Sequence, residues 1–384
     1  MRKFEKGFNG ENRLKRHLET LTRRGVRIDP TAMLTSELDL ADELKYLREK
    51  VLDMTDGMVE KANSTAQLAA WLDSQGIPYM RNSKGNPSIR REFLERVEHP
   101  AIVPILEYRD SLALHSQIRS IMKTLRVSNR VHPEYDAETC ETGRIYSRNP
   151  NIMGWNKSLR KNIIADEGYT KVTVDYKSQD LRVLAAYSDC KALKQIFKNG
   201  EDPHAMTAAM MLNKDLKDVT PEERQLGKSL NFGTVYGQTP LGLARILDCS
   251  VEEAEQHQEN YFNTYPEVLA WIREVEKEAR HTGYSETYLG RRRYLNYNIP
   301  PMYHDKLNRQ AVNTPIQGTG ADLLRYTLAV LPANNEKIQV LYPNHDEIIL
   351  QYRDDIPFDK VKTYVESIMV QDIKGVIMEV EWGF

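Results

Sequence analysis

Cysteine is nearly absent. Cys140, Cys190 and Cys249 are the only three in 384 residues, far apart and in no Cys-x-x-Cys pair. That spacing suggests neither a disulfide framework nor a zinc site, and a reducing, intracellular setting is expected. Long apolar runs are missing as well: no stretch reaches the roughly 18 apolar residues that a membrane-crossing helix needs. The N-terminal MRKFEKGFNGENRLKRHLET has no apolar centre and does not read as a secretory signal. No membrane partnership is expected, and a cytoplasmic location is. An excess of one charge is also lacking: 53 basic and 55 acidic side chains leave −2 at pH 7. This excludes a protein that coats polyanions through overall basic charge. No internal repeat or low-complexity tract occurs.

What is present is ordinary globular material, 40% hydrophobic and 8% aromatic. The length is about two and a half times that of a typical domain, so more than one lobe is expected. Basic residues are unevenly placed. Arg119, Lys123, Arg126 and Arg130 lie in an acid-free stretch from Ser111 to Arg130, and Arg144, Arg148, Lys157, Arg160 and Lys161 in another from Gly143 to Ala165. Either stretch alone reads as a solvated face. Two so close together point toward a phosphate-facing surface.

Apolar spacing predicts helices over Glu11–Arg24, Glu37–Met58 and about Ala101–Thr124, with a polar loop at 80–90. Near 170 the character changes. Lys171–Asp175 alternates with β-branched residues and reads as a strand, followed by a helix over Gln179–Ser188. Residues 200–280 read as helical, broken at Pro203, Gly237 and Pro266. Lys337–Tyr342 and Ile348–Tyr352 read as a hairpin joined by 343–347. The pattern is a small sheet assembled from distant segments with helices inserted between them.

Asp175 ends one predicted strand, and Asp346 and Glu347 sit at the turn of the hairpin. If one sheet holds all three, their mutual repulsion calls for a cation. Mg²⁺ suits such a site, because it binds one or two carboxylates together with substrate phosphates. Two such ions activate an attacking oxygen and stabilise a leaving one. Adjacent strand residues face opposite ways, so Asp346 is assigned to the metal and Glu347 to support. Taken alone, Asn-His-Asp-Glu also reads as a plain polar turn.

The segment from Thr220 opens as a capped helix: Thr220 at the N-cap, Pro221 at the first helical position and Glu223 completing a capping box. Arg224, Lys228, Phe232 and Tyr236 then recur every four residues and form one slanting stripe, two cations followed by two aromatics. A nucleoside triphosphate has the same polarity, a charged tail and a flat base. A surface helix with a cationic face and aromatic anchors has the same spacing.

Together these segments resemble the polymerase domain of family A (DNA polymerase I-type) DNA polymerases, over nearly the whole chain from about Glu11. The motifs are DYKSQDLRVLAAYS from Asp175, RQLGKSLNFGTVYG from Arg224 and NHDE at 344–347, supported by ETGRIYSRNPN at 141–151, GRRRYL at 290–295 and RQAVNTPIQGTGAD at 309–322. The resemblance implies an α+β right-hand polymerase fold, with a small antiparallel palm sheet and largely helical thumb and fingers. It places an N-terminal helical segment at 1–39 packing on the palm, the thumb at 40–127, palm at 128–195 and 305–384, and fingers at 196–304. It implies a template-directed DNA polymerase that extends a primer with deoxynucleoside triphosphates by two-metal-ion nucleotidyl transfer.

The implied roles follow residue by residue. Asp175 and Asp346, with the Tyr176 carbonyl, would hold two Mg²⁺ ions, Glu347 supporting. Arg224 and Lys228 would bind the triphosphate, Lys228 also serving as acid to the pyrophosphate. Phe232 would pack on the sugar, Tyr236 border the templating site and His204 lie near the phosphates. Arg144, Arg309, Asn313, Gln317 and His345 would touch the primer terminus or minor groove, reading acceptors common to all base pairs. The implied partners are primer-template DNA and deoxynucleotides, with a separate exonuclease or replication accessory protein as a candidate and a monomer as the expected state.

Two departures stand out. The family shows Asp-Tyr-Ser-Gln-x-Glu-Leu-Arg, whereas this chain reads Asp-Tyr-Lys-Ser-Gln-Asp-Leu-Arg. The usual Glu, which blocks a 2′-hydroxyl, is thus Asp180, and Gln179 is displaced by one position. Mitochondrial-type members also carry Ser-Gln before the acid. Second, the Gly25–Asp29 segment normally follows an exonuclease domain, and no acid-rich exonuclease motif precedes it here. A polymerase without proofreading, encoded by a phage or other mobile element and located in the cytoplasm of a bacterial or phage-infected host cell, is the expectation; a trimmed chain would look the same. A single-subunit RNA polymerase and a catalytically dead primer-template binding module are the competing readings.

Overall fold

The structure is a computed structural model and describes residues 4–7, 9–125 and 128–384. Arg126, one of the clustered basic residues, lies outside them. The chain divides into two compact units. One comprises 1–24, 133–149 and 165–384; the other comprises 25–132 and 150–164. The architecture is α+β, predominantly helical, with small antiparallel sheets.

The smaller unit is built on α2 (Pro30–Met54) and α3 (Ile102–Leu125). Its core gathers Leu47, Val51, Leu68, Trp71, Leu94 and Ile105, all buried. Helix α2 starts seven residues before the sequence-based expectation of Glu37. The cause is local: Asp29 caps the backbone N–H groups of Thr31 and Ala32, and Pro30 supplies the preset first turn.

In the larger unit α1 (Glu11–Arg24) packs on α8 (His304–Val330). A four-stranded sheet holds β1 (Tyr169–Tyr176), β2 (Ile338–Asn344), β3 (Glu347–Arg353) and β4 (Val380–Gly383) in the order β4-β1-β3-β2, each pair antiparallel. Strand alternation sends Val172, Val174 and Tyr176 into the core and leaves Asp175 on the other face. The Tyr176 hydroxyl reaches the Met369 carbonyl at 3.1 Å, so its ring is a core anchor. The hairpin strands run longer than the sequence indicates. Only His345 and Asp346 form the turn, with His345 at φ 60°, as two-residue hairpins demand.

Helix α4 (Gln179–Ser188) follows β1 with the bounds its periodicity predicts. Then come α5 (Pro203–Leu212), α6 (Pro221–Val235) and α7 (Pro266–Thr282), with Pro203 and Pro266 starting helices rather than breaking them. Pro315 sits inside α8 and cannot donate to the Ala311 carbonyl; Ser285 Oγ donates to it instead, at 2.8 Å. Helix α9 (Phe358–Met369) closes the sheet's buried face.

The two basic stretches are divided between the units. Arg144 and Arg148 belong to the larger unit, whereas Arg119, Lys123, Arg130, Lys157, Arg160 and Lys161 belong to the smaller. Arg148 pairs with Glu134 at 3.0 Å and Arg119 with Glu37 at 3.9 Å.

Candidate active site

The pairing register sets three carboxylates in one row. Asp175 on the central strand β1 faces Glu347 of β3 on one side and Glu381 of β4 on the other. Register partners share a face, and like charges placed directly opposite are destabilising. Asp346 adds a fourth: its backbone carbonyl accepts from the Tyr176 N–H at 3.3 Å. Because Asp346 belongs to the turn, strand alternation does not carry it away from Glu347.

Burial, then the negative charges of Asp346, Glu347 and Glu381, push the Asp175 carboxyl up to about 7. Its Oδ1 is buried with no hydrogen-bond partner among the described residues. An all-oxygen set with an unsatisfied buried carboxylate fits a hard divalent cation such as Mg²⁺. Among the described residues, no group of three or more His, Cys, Asp or Glu side chains is placed to hold a metal ion by itself.

Asp175, Asp346 and Glu381 edge a cavity of about 470 Å³ whose lining also includes Tyr176, His345, Arg144, Gln179, Asp180, His204, Lys228, Phe232 and Tyr236. Eleven of these twelve are residues that the sequence singled out; Glu381 is not. The α6 stripe runs along the cavity. The capping box of Thr220 and Glu223 is formed as the sequence predicts. Lys228 Nζ stands 6.0 Å from the Phe232 ring centre, and Phe232 stacks on Tyr236 at 6.1 Å and 7°. His204 lies 5.7 Å from Phe232. Its imidazole is pushed below its ordinary range, chiefly by burial, with Asp202 opposing. Helices α5 and α6 meet backbone to backbone: a Cβ on Gly227 would stand 2.2 Å from the His204 carbonyl oxygen.

Asp180 accepts a hydrogen bond from the Tyr236 hydroxyl at 3.0 Å. Burial raises its carboxyl, while Arg144 and this bond oppose the rise. Gln179 is buried with its Oε1 over Gly320, where a Cβ would come within 2.4 Å of it, and its Nε2 has no partner among the described residues.

The other sequence candidates stand outside the cavity lining. Glu347 is beside Asp175 in the sheet and accepts from Asn344 Nδ2 at 3.3 Å. Arg224, half exposed, is held by Asp202 at 2.7 Å. Arg309, Asn313 and Gln317 lie four residues apart along α8, so they form a slanting stripe. The stem of Arg309 packs where a Cβ of Gly237 would be, at 2.8 Å.

Sequence reasoning missed Asp202, Arg182 and Glu381. Asp202 caps α5 through the His204 and Ala205 N–H groups while gripping Arg224. The Asp-Pro pair that opens α5 was its available signal. Arg182 is buried and ties the Lys177 carbonyl to the Ile377 carbonyl and Glu379 carboxylate, fixing the turn between β1 and α4. Glu381 carried no signal, since only the register reveals it.

The family model for DNA polymerase family A matches residues 31–384. The thermostable DNA polymerase I of Thermus filiformis is 33% identical over 97% of this chain and 47% of its own length. That of Thermus aquaticus is 33% identical over 85% of this chain and 41% of its own. The chain thus spans less than half the length of these curated relatives. A solved structure of the POL domain of Pol1 from M. smegmatis, in complex with DNA primer-template and dNTP, superposes with a TM-score of 0.89 at 26% identity, over 97% of this chain and 69% of that one. With the family model covering the carboxylate row, the α6 stripe and the α8 stripe alike, the chain belongs to DNA polymerase family A.

Proposed function

We propose that this chain extends a primer 3′ end on a DNA template, joining deoxynucleotides by attack of the 3′-hydroxyl on an α-phosphate. The observation that carries the reading is the convergence of Asp175 and Asp346 at one wall of a cavity along which Lys228, Phe232 and Tyr236 are displayed in order. The Mycobacterium structure, solved with primer-template and dNTP, supports the same partners.

Asp175, Asp346 and the Tyr176 carbonyl would hold two Mg²⁺ ions, which when bound neutralise the phosphate charge and ease deprotonation of the hydroxyl. The chain's own residues orient the substrates. Lys228 donates to the triphosphate and is placed to protonate the pyrophosphate. Arg224, released from Asp202, adds a second cation to the phosphates. Phe232 bears on the sugar, and Asp180, fixed by Tyr236, stands where a 2′-hydroxyl would intrude. Arg144, Arg309, Asn313, Gln317 and His345 contact the primer terminus and minor groove. The work is positioning and charge stabilisation. Within this reading the palm comprises 128–195 and 305–384, the fingers 196–304 and the thumb 40–127.

The test is primer extension with Asp175→Asn and Asp346→Asn, with ribonucleotides run in parallel. Each variant is expected to lose about a thousandfold in rate. Extension at the wild-type rate by either would overturn the assignment.

A further inference from the structure

The Gly-Arg-Arg-Arg segment at 290–293 has no part in the chemistry above, yet Arg291 is the centre of a partly buried network. Its Nε donates to Asp322 Oδ1 at 2.9 Å, and Asp322 is 3% exposed. Its Nη1 donates to the Glu141 carbonyl at 3.3 Å, and its Nη2 to the carbonyls of Thr142 and Gly318 at 2.8 and 3.0 Å. Thr287 completes the arrangement, donating to the other Asp322 oxygen while accepting from the Arg291 backbone N–H.

One planar guanidinium thus joins two backbone segments far apart in sequence. Each segment ends next to a residue assigned to the primer. Thr142 is two positions before Arg144, and Gly318 directly follows Gln317. Both segments are shaped to admit the guanidinium. Gly143 has φ +77°, and a Cβ there would lie 2.3 Å from the Arg291 Cζ. A Cβ at Gly318 would lie 3.1 Å from Nη2 and 2.5 Å from Thr287 Cγ2. Arg325 holds the same loop from its other end, donating to the Ala137 and Gly143 carbonyls at 2.7 and 3.2 Å.

We propose that Arg291 is a positioning residue that fixes the Arg144 loop against the Gln317 turn of α8, and that reading of the primer terminus by those two side chains depends on it. The inference rests on the function proposed above. Asp322 takes only one of the five guanidinium N–H donors, so what distinguishes Arg291 is where the others are directed. Three further carbonyls, all in the two segments next to Arg144 and Gln317, are what give it a positioning role. Lysine keeps the charge beside Asp322 but has no fork with which to hold carbonyls in several directions.

The experiment is Arg291→Lys in the whole chain, with the melting temperature measured alongside. Extension of matched and mismatched primer 3′ ends is compared with wild type. The matched-to-mismatched preference is expected to fall about tenfold, while kcat on matched ends changes little. An unchanged preference would overturn the proposal. Should Arg291→Lys melt far below wild type, Gly143→Ala displaces the guanidinium from the other side and is expected to give the same loss of preference; an unaltered preference there is equally fatal. Hydrogen exchange over 137–146 reads the positioning without catalysis, and faster exchange is expected in Arg291→Lys. If wild type extends no primer, the proposed function fails while the exchange result still decides whether Arg291 orders the loop.

Discussion

His17 shows how one buried side chain sets a pH limit on stability. It lies on α1, 2% exposed, with Nδ1 donating to the Leu331 carbonyl at 3.1 Å. Burial pushes its imidazole down to about 4 from an ordinary value near 6.5. Above about pH 6.5 the ring is neutral in both folded and unfolded chains and contributes no pH dependence. As the pH falls toward 4, the unfolded chain takes up a proton that the folded chain does not hold. Stability therefore drops over that window, by about 3 kcal/mol in total, and levels off below it. His17→Asn keeps a donor for Leu331 and removes the titration. Denaturant melts between pH 7 and pH 4 should show this part of the decline only in the wild type. An equal decline in the variant would assign it to other groups.

Between elements, the close approach of α5 and α6 is the contact that sets the α6 stripe. Gly227 costs α6 about 1 kcal/mol in helix propensity relative to alanine. It is tolerated because any Cβ would collide with the His204 carbonyl. Gly227→Ala should therefore destabilise rather than stabilise, by roughly 1–3 kcal/mol net of the propensity gain. It should also raise the KM for deoxynucleotides, since Lys228 is the next residue. A higher melting temperature with an unchanged KM would show that the helices are free to separate.

Elements of this kind were largely legible from sequence. The 3.6-residue period and the Thr220 capping box gave α6, and β-branched alternation gave β1. The apolar period alone starts α2 too late, because the Asp29-Pro30 cap that opens the helix lies outside that period. The hairpin turn came out too long because Pro343 and Asn344 look like turn residues, whereas pairing with Ile348 and Glu347 keeps both in β2. The motifs also picked out most of the residues that line the cavity. What stayed hidden was register and close approach: Glu381 beside Asp175, Gln179 over Gly320 and Arg291 beneath Gly143. Each depends on segments more than a hundred residues apart meeting in one arrangement, which no local pattern encodes.

At the scale of the molecule, each of the two units has a core of its own. The larger unit is centred on β1, β3, α4 and α8; the smaller is centred on Trp71, Leu68 and Ile105. The four tryptophans report on them separately. Trp71 and Trp155 belong to the smaller unit, Trp271 and Trp382 to the larger. A chain with two cores need not unfold in one step, and the slope of each transition scales with the surface its unit exposes. A Trp71→Phe/Trp155→Phe chain therefore follows the larger unit by fluorescence, and a Trp271→Phe/Trp382→Phe chain the smaller. The first should show the steeper dependence on urea, by roughly twofold in proportion to unit size. Transitions that coincide in midpoint and slope would instead mean that the two cores melt as a single cooperative body.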